Sequence, residues 1–285
     1  MKNVLNLGYL ILMVSIIIGC AKGDGDAKIS LKSRKNRLVG VWNIDSWYRV
    51  SDYTNNSTSN NTQSSMGTTW FYQASNKRTS KSNQTIDGNS VSTILNSYTE
   101  SSNSSSTSTE TQNKNGKGSA LATIEFEKDG TFTRKLEFTN QNFTINKVLS
   151  GSGITANVSI TSIETSIETS TGSWEFLGGI QNEYKNKERI ILNVKSSTIT
   201  NSITSSDGTQ NNSTQIFSFL DGQSIEIWKL NTLKKDELVF EAVSKMTNDY
   251  STKGNELIGN STNSNEYTFQ TTEIGTMDGT LSKVD

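Results

Sequence analysis

The chain has no histidine and no proline, and its single cysteine stands at position 20. Without histidine there is no Ser-His-Asp or Cys-His nucleophile pair, no His-bound zinc and no imidazole-ligated haem. Acid–base chemistry is left to carboxylates, lysine and tyrosine. A lone cysteine excludes a disulfide within the chain, so in an oxidising compartment the protein must rely on its packed core. Nothing in the sequence points to a metal or a cofactor. Charge is balanced, with 27 basic against 28 acidic residues and a formal net of −1. No nucleic-acid partner is expected on that ground.

Apolar residues are also scarce, at 32 %, or about 39 % once the 21 glycines are counted, below the roughly 45–50 % of ordinary globular domains. The deficit is local. Residues 51–65, 75–119, 196–214 and 251–265 are dominated by Ser, Thr and Asn, and the apolar residues concentrate between them. That alternation reads as one core carrying long polar insertions.

What is present begins at the amino terminus. A start Met and Lys2 precede an apolar run from Leu7 to Ile18, interrupted by Gly8, Tyr9 and Ser15. The run is shorter than the roughly 20 residues a membrane-spanning helix needs, and a signal-peptide core is the better reading. It ends in Ile17-Ile18-Gly19-Cys20, which resembles the lipobox of bacterial lipoproteins. The resemblance implies removal of residues 1–19, lipidation of Cys20 with diacylglycerol and palmitate-type chains, and anchoring in the cell envelope, at the outer membrane. Two or more acyl chains make such anchoring stable, because each buried CH₂ adds about 0.8 kcal/mol. An ordinary secretory signal with an incidental cysteine, or a weak membrane helix, is the alternative. Residues 20–36 then form a flexible tether, and its charged start, with Asp24 and Asp26, serves either as a spacer or as an export address. Two carboxylates on a glycine-rich tether fall short of the roughly six to eight oxygens calcium takes. Lys28, Lys32, Arg34, Lys35 and Arg37 read as a solvated approach to the first strand.

Period-two alternation dominates the remainder. Trp42 and Ile44 share one face of the run Leu38–Val50, Ile124 and Phe126 alternate with Glu125 and Glu127, and Phe132, Leu136 and Phe138 share a face beyond the turn Asp129-Gly130. Ile154, Ala156, Val158 and Ile160 keep the same period, but Ile163 breaks it, which predicts a bulge or turn near Thr161. Strands are further predicted at 174–177, 189–194 and 237–243, with 215–220 and 224–230 forming a hairpin across Asp221-Gly222.

Three phrases carry a family resemblance: Leu38-x-Gly40-x-Trp42 opening the first strand, the turn Asp129-Gly130-Thr131-Phe132, and the closing pair Trp228-Lys229-Leu230 and Leu238-Val239-Phe240. They resemble bacterial lipocalin-like lipoproteins. The resemblance implies an all-β, lipocalin-like antiparallel up-and-down barrel of about eight strands over residues 37–246, with long Ser/Thr/Asn-rich loops. It also implies that Gly40 and Trp42 form the barrel floor. The insertion 75–119 reads as a mobile loop or as an extra strand pair around Val91, Ile94 and Leu95. Residues 247–285 read as a polar tail with one extra strand at Tyr267–Gln270. A membrane-spanning barrel would need an outward apolar band with aromatic girdles, which the pattern does not offer.

Asp45, Glu125, Glu127, Glu175 and Glu226 are the carboxylates placed beside apolar strand residues, and each reads as an outward-facing charge. No pair is brought to the separation a glycosidase needs, so no catalytic residue and no enzyme activity is expected. The expectation is a membrane-anchored, non-catalytic envelope lipoprotein whose barrel binds a small lipophilic ligand or an envelope protein. The alternatives are a surface interaction or glycan-binding protein using its Ser/Thr/Asn loops and, third, a carboxylate hydrolase.

Overall fold

The computed structural model describes residues 34–65, 68–103, 106–177, 188–258 and 261–284. Cys20, its lipobox and the tether up to Ser33 lie outside them. A short helix, α1 (Arg34–Leu38), precedes eleven strands: β1 (Gly40–Ser65), β2 (Thr68–Asp87), β3 (Ser90–Asn103), β4 (Thr107–Phe126), β5 (Thr131–Gly151), β6 (Ile154–Phe176), β7 (Glu188–Ser205), β8 (Gln210–Ser218), β9 (Ser224–Leu233), β10 (Glu237–Ile258) and β11 (Ser261–Lys283). The order is β6-β5-β4-β3-β2-β1-β11-β10-β9-β7-β8, and a further β6–β7 ladder closes it into a ring. Every ladder is antiparallel.

Eleven strands rather than about eight correct the lipocalin-like up-and-down expectation. The discrepancy lies in the polar tracts. Residues 75–119 supply the end of β2, all of β3 and most of β4, while 196–214 and 251–265 lengthen β7, β8, β10 and β11. Low hydrophobicity argues against a strand only where both or either face must pack on a core. A wall around a hollow interior has no such requirement. Backbone ladders are indifferent to side-chain polarity, and β-branched Thr suits a pleated surface. The extra strand pair around Val91 is therefore realised as β2–β3, and the tail strand extends to β11, which joins β1 to β10.

The barrel changes girth along its axis. At its base, Gly40–Asn43 of β1 pair directly with Thr123–Phe126 of β4, so the ring there is β1-β4-β5-β6-β7-β9-β10-β11. A register shift between Ile44 and Ser46 then lets β1 leave β4 and take β2 as its neighbour. The β2–β3 turn is held in the fork: Gly88 N–H donates to the Asp45 carbonyl at 2.8 Å, and Ala120 N–H to the Asn89 carbonyl at 2.8 Å. Above the fork the wall gains two staves.

The packed core occupies the base. Trp42, Trp47, Phe126, Phe132, Trp228 and Phe240 are at most 1 % exposed and point inward. Trp228 stacks on Phe240 with centroids 4.0 Å apart, while Phe126 meets Trp174 and Trp228 edge-on. Burying an aromatic side chain is worth about 1.5–3 kcal/mol, so this cluster is where the barrel is held together. Helix α1 closes the end. Leu38 is buried, its carbonyl accepts the Trp42 Nε1–H at 2.7 Å, and the Arg37 guanidinium donates to the Leu233 carbonyl at 2.6 Å. Arg34 meets buried Glu188 at 2.5 Å. The basic residues Arg34 and Arg37 thus dock on the base instead of lying in solvent.

Two local expectations are corrected. Strands β8 and β9 do not form a hairpin with each other. Both pair with β7, β8 along Ser196–Thr204 and β9 along Glu188–Asn193, so they lie end to end with Phe219–Gln223 between them. The Asp221-Gly222 turn is a break in one stave, since a carboxylate on Asp221 accepts from Asn193 and Lys195 of β7 rather than closing a two-strand ladder. Neither the bulge nor the turn expected near Thr161 is present in the β5–β6 ladder, which runs unshifted through Ile160 to Glu164. Ile163 simply faces outward, 51 % exposed.

Candidate functional site

Above the aromatic floor the interior opens into a cavity of about 490 Å³. Strand register explains what lines it. Each inward position is two residues from the last, so the step above Trp47 is Arg49, above Phe132 is Arg134, and above Trp228 is Glu226. Glu168 and Glu273 enter from β6 and β11. Five charged side chains therefore gather directly over the floor. Phe138, Phe143, Phe217, Phe219, Ile199 and Met246 give the cavity an apolar side.

The charges pair internally. Arg134 Nη1 donates to both Glu226 oxygens at 2.8 and 2.9 Å, and its Nη2 lies 4.0 Å from Glu168. The guanidinium also covers the Trp47 ring at 5.4 Å. Glu226 accepts a further bond from Trp228 Nε1–H at 3.0 Å. Glu168 takes the Ser170 hydroxyl at 2.8 Å, and Arg49 donates to Glu273 at 2.6 Å. Burial pushes the Glu226 carboxyl up, but the Arg134 guanidinium, then Arg49 and the Trp228 N–H, outweigh it and hold the group below its ordinary range. For Arg49 burial acts downward, and Glu273, Glu168 and Glu226 more than reverse it. Glu226 is thus an anion locked to a cation, a poor proton donor.

Donors and acceptors do not balance. Arg134 and Trp228 occupy both Glu226 oxygens and one oxygen each of Glu168 and Glu273 is bonded, whereas Arg49 Nε, Arg134 Nε, Trp47 Nε1 and Thr271 Oγ1 are buried without a hydrogen-bond partner. Such groups cost about 1–3 kcal/mol each when left bare. Arg134 and Thr271 are 3 % and 4 % exposed, and both line the cavity.

The cavity borders a seam in the wall. The β9–β10 ladder ends at Ser224–Met246, above which β10 pairs only with β11, and among the described residues no ladder joins β8 to β10. Phe217, Lys245 and Met246 sit where these strands part.

Of the residues expected from sequence, Gly40 and Trp42 lie at the base. Gly40 has φ +125°, and a Cβ there would come within 2.9 Å of Lys283 Cε. Asp45 accepts from the Ser282 hydroxyl at 2.9 Å, and Glu127 and Glu175 face solvent. Of the five carboxylates only Glu226 enters the cavity, against the expectation that it faces outward. Arg49, Arg134, Glu168 and Glu273 were missed. Parity alone could have found Arg134, which sits between Phe132 and Leu136 on one strand face.

The chain is an antiparallel β-barrel, closed at its packed base and parted by the seam above it, with a charged cavity. No family model and no curated protein matches its sequence. Structurally it aligns with the translocator domain of the autotransporter NalP from Neisseria meningitidis at 7 % identity and TM-score 0.26, covering 80 % of this chain and 87 % of that one. The β domain of the Bordetella autotransporter BrkA gives 7 %, 0.26, 80 % and 98 %, and the Pseudomonas putida toluene transporter TodX gives 7 %, 0.21, 81 % and 90 %. The eleven-stranded ring, not these neighbours, corrects the lipocalin-like resemblance. At these scores they assign no family.

The outer wall differs from a lipid-facing one. Glu125, Lys135, Glu137, Lys229, Glu241 and Asp278 face outward around the base, and Asp52, Lys81 and Lys117 do so above it. A spanning barrel carries an outward apolar band about 25 Å tall. Exposed Leu121, Val243 and Ile274 are single residues among these charges.

The functional expectations are corrected together. A lipocalin-like pocket for a small apolar ligand is overturned by the fold and by the buried Arg and Glu side chains over the floor. Glycan or partner binding through Ser/Thr/Asn loops fails because those tracts are paired strands.

Proposed function

We propose that the protein is a non-catalytic β-barrel of the cell envelope, held at the outer membrane through lipid on Cys20, that retains a small molecule with a polar head and an apolar body in its internal cavity. The observation that carries this reading is the cavity itself, with five charges over an aromatic floor and phenylalanines along its side. Its volume of about 490 Å³ is within the roughly 300–1,000 Å³ of small-molecule sites. A catalytic role is disfavoured because Glu226, the most buried acid of the group, is kept ionised by Arg134 and offers no proton to transfer. The anchor rests on the lipobox residues Ile17-Ile18-Gly19-Cys20.

The test uses the amphiphilic anion 1-anilinonaphthalene-8-sulfonate. It is expected to bind the folded protein at one site with a rise in fluorescence, and Ser197→Trp, which fills the cavity from β7, should abolish that binding. Absence of binding, or binding indifferent to Ser197→Trp, would remove the cavity from the account. Separately, Cys20→Ser should release the protein from membranes; retention would contradict the anchor.

A further inference from the structure

We infer that the chain pairs with a second copy of itself by strand addition, the edge of β6 at residues 154–160 of one protomer running antiparallel to the same edge of its partner. This pairing is independent of the cavity.

Unequal strand lengths leave that edge open. The β5–β6 hairpin runs on to Gly151 and Ile154, whereas the β6–β7 ladder stops at Ser162 and Ser205, with Ser206 N–H donating to the Thr161 carbonyl at 2.9 Å. Between 154 and 160, β6 has β5 on one side and, among the described residues, no strand on the other. Backbone groups alternate sides along a strand, and the β5–β6 ladder is unshifted here. Thr155, Asn157 and Ser159 therefore present N–H and C=O on the open side, the side on which Thr161 meets Ser206. All residues from 152 to 159 are exposed. Native sheets guard such an edge with lysine, proline or an inward-pointing charge, and residues 154–163 contain none of these. The other open edges are those of β8 and upper β10, which together bound the seam, and β10 carries Asp249, Lys253 and Glu256.

The pattern of the edge selects its occupant. Ile154, Ala156, Val158 and Ile160 lie on the face that looks toward Leu149, and Thr155, Asn157 and Ser159 lie on the other. Apolar at every second position and uncharged between, the run has the same pattern in both directions, as a strand must to pair with itself about a two-fold axis. With Ala156 opposite its own copy, Ile154 meets the partner's Val158 and Thr155 meets the partner's Asn157. Apolar side chains then face apolar ones, polar face polar, and no like charges are opposed. Ile154, 71 % exposed in the single chain, is covered. The incoming hairpin ends short of the place Ser206 holds beside Thr161. Thr155 and Asn157 of the two copies exchange about four backbone hydrogen bonds. Because the contact is isologous it uses both edges and closes at a dimer.

Sedimentation velocity of the Cys20→Ser protein, which can form neither a lipid-driven cluster nor an intermolecular disulfide, tests the pairing. So small an interface is weak, and a monomer–dimer equilibrium with a Kd of about 1–100 μM is expected. Ala156→Lys sets two ammonium groups opposite each other on the axis and should weaken the dimer at least about tenfold, as should Ala156→Glu with two carboxylates. An equimolar mixture of the two variants should restore dimerisation, because each axis then joins opposite charges. The site is exposed, so both variants should keep the parent's circular dichroism and unfolding midpoint. A protein still monomeric at about 1 mM overturns the inference. So does a dimer indifferent to Ala156→Lys, or a mixture that remains as monomeric as its components.

Discussion

The base and the upper wall of this barrel are made of the same strands and obey different rules. In the base, the inward face is apolar and buried except at Glu188, which the α1 arginines meet, and aromatic rings interlock across the ring of eight strands. In the upper wall the same strands run on as Ser, Thr and Asn. Ladders continue there for the full lengths of β2 to β8, with Thr171, Thr200 and Ser75 hydroxyls meeting partners across neighbouring strands. Apolar alternation therefore decides where the interior is solid. Continuity of the backbone ladder decides how far the wall extends.

If the base holds the barrel together, Trp228→Ala should produce the largest loss, about 3–5 kcal/mol, because it empties the space between Phe126 and Phe240. Denaturant unfolding followed by tryptophan fluorescence measures it. The boundary between the two regions comes next. Arg134→Met strands the Glu226 charge in a buried site and should cost about 3–5 kcal/mol, whereas Arg134→Met/Glu226→Leu should recover most of that loss. A double variant as unstable as the single one would show that the pair is not the cause.

The same pair makes a pH prediction with a definite sign. The folded-state value of Glu226 lies below its ordinary 4.5, so its stabilisation is complete above that value and is lost as pH falls through the lower folded value. The unfolding midpoint should drop as pH falls below about 4.5 and through the lower folded value, and Glu226→Gln should flatten that drop by its share of the linkage.

Substitutions in the upper wall should be milder. Gly172, in the base, has the Asn193 carbonyl oxygen in clashing range of where a Cβ would stand, so Gly172→Ala forces backbone to move and should cost about 1–3 kcal/mol. Gly153, in the β5–β6 turn, has open space around it but φ +77°, and Gly153→Ala should cost about 1 kcal/mol. Thr200→Ala, on the outer face of β7, should stay within about 0.5 kcal/mol. If Thr200→Ala equalled Gly172→Ala, the division into a strict base and a permissive wall would fail.

The base was legible in the sequence because its signal is the one that period-two patterning carries. Trp42 with Ile44, Ile124 with Phe126, and Phe132 with Leu136 all point inward as their alternation implies. The Asp129-Gly130 turn and the final β9–β10 pair were legible for the same reason. The upper wall was not. In residues 75–119 both faces are polar, so no periodicity marks a strand, and only the ladders of β2, β3 and β4 reveal one. The cavity was half legible. Arg134 and Glu226 lie at inward parity beside Leu136 and Trp228, but a charge next to an apolar residue reads as outward-facing until its register is known. Arg49 and Glu273 needed the β1–β11 pairing, which joins residues more than 220 positions apart in the chain.

The central claim is that the polar tracts are walls of a hollow chamber standing on a packed base. Residue-resolved amide hydrogen exchange tests it most directly. The account predicts that amides of 90–103 and 107–118 are protected by orders of magnitude, though less than those of 120–126 and 238–242, since ladder bonds without a packed core open more readily. Exchange of 90–103 and 107–118 at the rate of an unstructured chain would contradict it.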